Sequence, residues 1–182
     1  ILRIEGYCIS KSFKGAVSMD VRLVRIDDRL IHGQVATVWA KETGIERIIV
    51  VSDTVAKDEL QKFLLNQAAP PGVKANVVPV DKMFEVFHNV LFINTKVMLL
   101  FTCPQDIERL VQAGIHIQSV NIGGMRFSPG KKMLTNVISL DEDDVRSFQY
   151  LYGKGIELEV RQVPADRKVN FMDLLYRFKD VK

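Results

Sequence analysis

From Asp20 onward, short runs of apolar and β-branched residues alternate with segments whose apolar positions recur every three or four residues. The runs cover 21–26, 47–52, 73–79, 97–102, 119–122, 136–139 and 157–163. Ile48-Ile49-Val50-Val51 and the stretch from Val97 to Phe101 are apolar at nearly every position, the pattern of strands covered on both faces. Helical spacing predicts helices over 34–41, 57–67, 81–87, 104–113, 142–152 and 170–178. The second carries Leu60, Phe63, Leu64 and Gln67 as a stripe. The fourth has Pro104 at its start and Gly114 just past its end, the preferred place of each. Acidic residues from Asp141 to Asp144 open the fifth, where they suit the helix dipole.

This β–α alternation predicts a three-layer α/β/α fold: a mainly parallel open sheet of six to seven strands with helices on both faces. No internal repeat, low-complexity tract or linker interrupts it, so residues 19–182 read as one domain. Residues 1–18 show neither period and no sustained apolar stretch between their charges, which argues against a signal peptide. They read as a non-native or upstream extension, with Met19 as the natural start; an added edge strand is the competing reading.

Charge and composition narrow the function classes. The chain has 182 residues, 47% hydrophobic and 26% charged, enough for a full core. Its 25 basic and 22 acidic residues leave a net charge of +3, too mild to argue for nucleic acid. Two cysteines, Cys8 and Cys103, support neither a disulfide framework nor a zinc site, and a reducing cytoplasm is the expected compartment. No apolar run approaches the ~20 residues of a membrane span. Three scattered histidines make a metal site unexpected. No Gly-x-Gly-x-x-Gly follows a strand, so the dinucleotide fingerprint is missing and no cofactor is expected.

In doubly wound sheets ligands gather at the carboxyl ends of strands, and the loop after the first run is rich in chemistry. Arg25-Ile-Asp27-Asp28-Arg29-Leu-Ile-His32-Gly33-Gln34 packs two arginines, two aspartates and a histidine ahead of a glycine. A neutral imidazole offers a nitrogen that can attack phosphorus and later leave. Arg25 and Arg29 can hold phosphoryl oxygens with paired donors. Gly33 lets backbone approach, and the helix opening at Gln34 offers free N–H groups and a favourable dipole. Asp27 can orient an arginine or hold one imidazole nitrogen. The plainer alternative makes the aspartates helix caps and leaves His32 on the surface.

A second loop, Gly123-Gly124-Met125-Arg126-Phe127-Ser128-Pro129-Gly130-Lys131-Lys132, follows the run at 119–122. Paired glycines can aim amides at an anion, and Arg126 adds charge, as do Lys131 and Lys132. It is not a Walker loop. Met125, Phe127 and Trp39 are rim candidates, although Trp39 on a helix suits the core better. Ser52, Asp53 and Thr54 end a strand and can line the rim, whereas His88 and His116 read as structural.

Residues 25–34 closely resemble the active-site loop of the IIB domain of the mannose/fructose/sorbose family of bacterial phosphotransferase permeases. The likeness extends through Arg47-Ile-Ile-Val-Val-Ser52, Ala68-Ala-Pro-Pro-Gly-Val73, Val97-Met-Leu-Leu-Phe-Thr102, Asn121-Ile-Gly-Gly-Met125, Pro129-Gly-Lys131 and Gly155-Ile-Glu-Leu-Glu-Val-Arg161. It covers about 20–175. The resemblance implies a phosphohistidine at His32, formed on Nδ1 by transfer from a IIA domain. It implies delivery to a sugar bound by membrane IIC and IID components, with the protein cytoplasmic and peripherally held to the inner face of the membrane. The sugar is mannose-type on this likeness, with fructose, sorbose or N-acetylgalactosamine as alternatives. A small-molecule-binding α/β enzyme and a non-catalytic regulatory module remain the other readings, and the intact Arg29/His32 pair discriminates against the latter.

Overall fold

The structure, a computed structural model, describes residues 19–180, without the side chains of Gln34, Val35 and residues 178–180. The expected extension at residues 1–18 lies outside the described residues. A seven-stranded sheet forms the middle layer, in the spatial order β3-β2-β4-β1-β5-β8-β9. Its strands are β1 (Asp20–Asp27), β2 (Arg47–Val51), β3 (Lys74–Val78), β4 (Lys96–Phe101), β5 (Ser119–Gly124), β8 (Glu157–Val160) and β9 (Val169–Asn170). All neighbours pair in parallel except β9, which runs antiparallel to β8. Two short strands, β6 (Lys132–Met133) and β7 (Ser139–Leu140), form a separate antiparallel pair. The run at 136–139, predicted as a main-sheet strand, therefore contributes only a hairpin arm and a single bridge from Ile138 to Met125.

Side-chain alternation divides the core in two. Ile48, Val50, Met98 and Leu100 point to one face. There they pack with residues of α1 (Gly33–Thr43), α2 (Asp53–Lys57) and α3 (Glu59–Gln67). Ile49, Val51, Val97, Leu99 and Phe101 point to the other. There they meet α4 (Val80–Phe87), α5 (Pro104–Gln112), α6 (Glu142–Gly153) and α7 (Phe171–Asp180). Each fully buried Ile, Leu or Phe contributes ~1.5–3 kcal/mol of transfer free energy, so the two apolar layers hold the sheet between them. Among the described residues no helix is long and apolar enough to cross a membrane.

Local chemistry sets the helix ends. Asp141 accepts from the Asp144 amide while the Asp144 carboxylate accepts from the Asp141 amide, a reciprocal cap for α6. Gly44, at φ 60°, closes α1. The predicted helix at 57–67 forms as α3 from Glu59, because Asp58 leaves the helical conformation, ending the unpredicted α2 and capping α3 by accepting from the Gln61 amide at 2.9 Å. The stripe of Leu60, Phe63 and Leu64 faces solvent, and Leu65 is the buried residue of α3.

Candidate functional site

Asp28 to His32 turn the chain from the carboxyl end of β1 into α1. The Leu30 amide donates to the Asp27 carbonyl at 2.9 Å, closing a tight turn in which Leu30 holds φ 59°. A left-handed leucine is strained. The compensation is burial: Leu30 and Ile31 sink into the α1-side core at 3% and 4% exposure. Anchoring these two leaves His32, the next residue, at the edge as N-cap of α1.

His32 makes no side-chain cap, and the first turn of α1 carries no acidic residue. The positive end of the helix is thus left for an anion. A side chain at Gly33 would meet open space, so the approach is clear. The Gln34 side chain lies outside the described residues. His32 Nδ1 sits 2.8 Å from the Leu30 carbonyl, and Nε2 is buried without a partner. A carbonyl only accepts, so in this arrangement a neutral ring carries its proton on Nδ1 and its lone pair on Nε2. Phosphorylation on Nδ1, which the family resemblance implies, requires the ring to leave Leu30.

Asp27 is fully buried and organises the loop. Its Oδ1 accepts from Arg29 Nε at 2.9 Å and from the Arg29 amide at 3.3 Å. Its Oδ2 accepts from Arg29 Nη2 at 3.1 Å and Arg25 Nη2 at 2.8 Å. Burial alone would push the carboxyl up, but the Arg29 hydrogen bond and the Arg25 charge outweigh it and hold it below the usual range. Both oxygens are committed to arginines, so Asp27 orients guanidinium groups and not the imidazole. The Arg29 hydrogen bond to Asp27 raises the affinity of that guanidinium for its proton. Its side chain stays 45% exposed beside the loop.

Arg25 stands differently from the expectation of a phosphate clamp. It is 0% exposed, on the α1 side of β1. Besides Asp27 it donates to Asn121 Oδ1 and to the carbonyls of Arg161 and Gln162, at 3.0 and 3.2 Å. Burial lowers its proton affinity, yet a guanidinium begins so high that it stays charged. Four acceptors occupy it, so it braces Asp27 from within.

The glycines also differ from their predicted role. Gly123 and Gly124 are the last two residues of β5 and not part of a free loop. A Cβ on Gly123 would come within 1.9–2.5 Å of the Arg25 guanidinium, so glycine there makes room for an arginine. Gly124 accepts the Asp28 amide at 3.2 Å through its carbonyl. Arg126 is on the rim, its Nε against the Asp28 carboxylate and its side chain 70% exposed. Lys131 is drawn off to Asp144 at 2.6 Å. Phe127 is exposed beside Arg126, whereas Met125 and Trp39 are buried. Ser52 and Asp53 serve as the α2 cap and as a partner of Arg109 at 2.6 Å. His88 caps α4 and His116 is exposed before β5. Among the described residues no group of three or more His, Cys, Asp and Glu is arranged to hold a metal ion.

Residues given no role from sequence complete the site from below: Asn121, Glu159, Arg161 and Gln162. Asn121 and Glu159 show in the sequence as polar residues between apolar neighbours, Val120-Asn121-Ile122 and Leu158-Glu159-Val160, and Asn121, Glu159 and Arg161 fall in segments that carry the family likeness.

A mainly parallel open sheet thus carries, after its central strand, a loop with a histidine and a half-exposed arginine beside an uncapped helix N-terminus, an edge suited to an anionic group. The family described as PTS system sorbose subfamily IIB component matches residues 21–182. The mannose-specific EIIAB component of Escherichia coli K12 is 57% identical over 157 residues, 86% of this chain and 49% of that protein. The sorbose-specific EIIB component of Klebsiella pneumoniae is 48% identical over 85% of this chain and 94% of its own length. The crystal structure of the IIBSor domain of the sorbose permease from Klebsiella pneumoniae superposes with a TM-score of 0.85 at 46% identity, covering 87% of this chain and 98% of that one. The chain belongs to the sorbose-type IIB family of the sugar phosphotransferase system, whose general role is phosphoryl transfer to sugar. It spans about half the length of the mannose-specific relatives that it matches.

Proposed function

We propose that this chain takes a phosphoryl group onto His32 from a phosphohistidine of a IIA domain and passes it to a sugar held by membrane IIC and IID components. The observation that carries this reading is the uncapped N-terminus of α1 with His32 as its N-cap, on the same loop as a half-exposed Arg29 held by Asp27. The imidazole turns from the Leu30 carbonyl, its proton moves from Nδ1 to Nε2 through solvent, and the freed Nδ1 lone pair attacks phosphorus. A nitrogen–phosphorus bond forms on His32 as the one on the donor breaks; the donor ring keeps that electron pair and takes up the proton that His32 sheds. In the second step a sugar hydroxyl oxygen attacks the same phosphorus. The bond to His32 breaks, its electron pair returns to the ring, and the ring takes up the hydroxyl proton.

A loose, metaphosphate-like transition state needs alignment and charge more than acid–base work. Arg29 and the α1 N–H groups supply both, Gly33 leaves the approach open, and Arg126 adds charge at the rim. Both partners approach the same edge, so the protein works at the cytoplasmic side of the membrane through transient contacts. Mannose-type sugar is favoured by the higher identity to the mannose-specific relatives than to the sorbose- and fructose-specific ones.

The test is to incubate the protein with phosphoenolpyruvate, the general phosphotransferase proteins and IIA, then map the label. An acid-labile, base-stable phosphate on His32 is expected, absent in His32→Ala and formed more slowly in Arg29→Gln. Label persisting in His32→Ala overturns the assignment.

A further inference from the structure

Arg25, Asn121 and Glu159 stand in register on the adjacent strands β1, β5 and β8. They form one polar row across the α1 side of the sheet, exposed 0%, 1% and 4%. Asn121 is the neutral member between a buried cation and a buried anion. Its Oδ1 accepts from Arg25, and its Nδ2 donates to Glu159 Oε1 at 2.9 Å and to the Arg161 carbonyl at 3.3 Å. Glu159 in turn holds Arg161 at 2.7 and 2.9 Å. The amide therefore has one favourable orientation, oxygen to cation and nitrogen to anion.

We propose that Asn121 is a positioning residue for phosphoryl transfer, fixing through Arg25 and Asp27 where the Arg29 guanidinium stands on the loop that carries His32. The inference rests on the function proposed above. Arg25 has no slack on which to place Asp27 otherwise. Gly123 lies against one side of its guanidinium, and the Trp39 ring lies 5.5 Å away. The Gln162 carbonyl accepts from both Arg25 and Trp39 Nε1, tying the row to α1 itself. Asp27 Oδ2 is shared by Arg25 and Arg29, so a shift of Arg25 frees that oxygen and moves Arg29.

Charge balance points the same way. Arg25 and Arg161 are balanced by Asp27 and Glu159, so the surplus cation of the lattice is Arg29, the most exposed of the five. An aspartate at position 121 would cancel that surplus. Buried ion pairs are weak stabilisers relative to apolar packing, so stability alone does not account for a polar row that ends at the His32 loop.

The test measures single-turnover phosphoryl transfer from phosphorylated IIA, the nitrogen-15 NMR signal of the Arg29 Nε–H, and Tm. Asn121→Ala is expected to slow transfer on the order of tenfold to a hundredfold and to shift or lose the Arg29 signal. Leu151→Val, a core change in α6, serves as a control for lost stability and is expected to keep both. Asn121→Asp is expected to be slow, and Asn121→Asp with Glu159→Gln, which restores donor to acceptor, to recover rate and signal. Should Asn121→Ala not fold, the aspartate variant and the double exchange decide. Transfer at the wild-type rate in the single variants, or a double exchange as slow as Asn121→Asp, overturns the inference. If wild type takes no phosphate on His32, the function reading fails by itself. An Arg29 signal unmoved by Asn121 substitution then refutes the positioning role separately.

Discussion

Asp27 grips Arg29 with both carboxylate oxygens, Nε on one at 2.9 Å and Nη2 on the other at 3.1 Å, while lying wholly out of solvent. Neither bond uses Nη1 of Arg29, which stays available to an anion at the loop surface. The buried half of the pair is rigid and the exposed half is aimed, the arrangement expected of a group that must meet charge arriving from a partner.

Removing the Asp27 charge should therefore cost more than removing Arg29. Asp27→Asn leaves Arg25 buried beside a neutral amide, and loss of one member of a fully buried pair costs ~3–5 kcal/mol. The pH dependence follows from the depressed carboxyl. A carboxyl with a folded pKa below its unfolded value of ~3.9 contributes stability that is present above that value and is lost as pH falls through the folded pKa. Thermal melts from pH 6 to pH 2.5 should show the wild-type advantage over Asp27→Asn shrinking below about pH 4. A constant gap would contradict the pairing.

Leu30→Gly sets two opposing effects against each other. Glycine relieves a left-handed leucine, worth ~1–2 kcal/mol. It also empties a side-chain site 3% exposed in the core, and deletion of a buried leucine to alanine already costs ~2–5 kcal/mol. Lost burial outweighs relieved strain, so the variant should unfold at lower denaturant. Leu30→Asn, which tolerates φ 59° but is polar, should fare no better. A gain in midpoint for either would mean that strain, not burial, dominates this turn.

The layers of the fold are legible from the apolar periods because both faces of β2 and β4 are covered, and uninterrupted Ile/Val/Leu runs have few other uses. His32 and Arg29 are legible for a different reason: they crowd one loop within a few residues. Arg25 departs from its expected role because adjacency in sequence says nothing about which face of a strand a side chain takes. It alternates with Val24 and Ile26, so it points under α1 and not outward with the loop. Asn121 and Glu159 are unreadable as partners, since the register joining three strands separated by 96 and 38 residues is a tertiary fact. The start of α3 at Glu59 and not Lys57 is legible in principle, as an aspartate three residues before Gln61 is a cap. The apolar stripe of α3 masks that signal.

Cys103 should behave as an inert thiol. Burial, with Asp106 nearby, pushes it up to about 11. At pH 8 the thiolate is then on the order of one part in a thousand. A Cys8→Ser variant isolates the residue. Its reaction with a chromogenic disulfide should be slow at pH 8 in the native protein and fast after denaturation. Equal rates in both states would show that the N-terminal end of α5, where Cys103 is the N-cap residue, opens readily.

Lys131 offers the sharpest division between charge that serves the site and charge that serves the fold. It lies in the glycine-rich segment expected to receive phosphate, yet its Nζ binds the Asp144 carboxylate at 2.6 Å. Asp144 is 2% exposed and also accepts from Gln105 at 2.9 Å and from the Asp141 amide at 3.2 Å. Lys131→Met deletes the cation that faces this buried carboxylate but spares its other donors, so the cost should be ~1–3 kcal/mol and not the full penalty of an isolated ion. Single-turnover transfer to His32 should be unchanged at a temperature where the variant is folded. Arg29→Met should do the opposite, slowing transfer with little change in midpoint, because nearly half its side chain is in solvent. Slowed transfer in the folded Lys131 variant would return that lysine to the phosphate site and require the segment to detach from α6 during turnover.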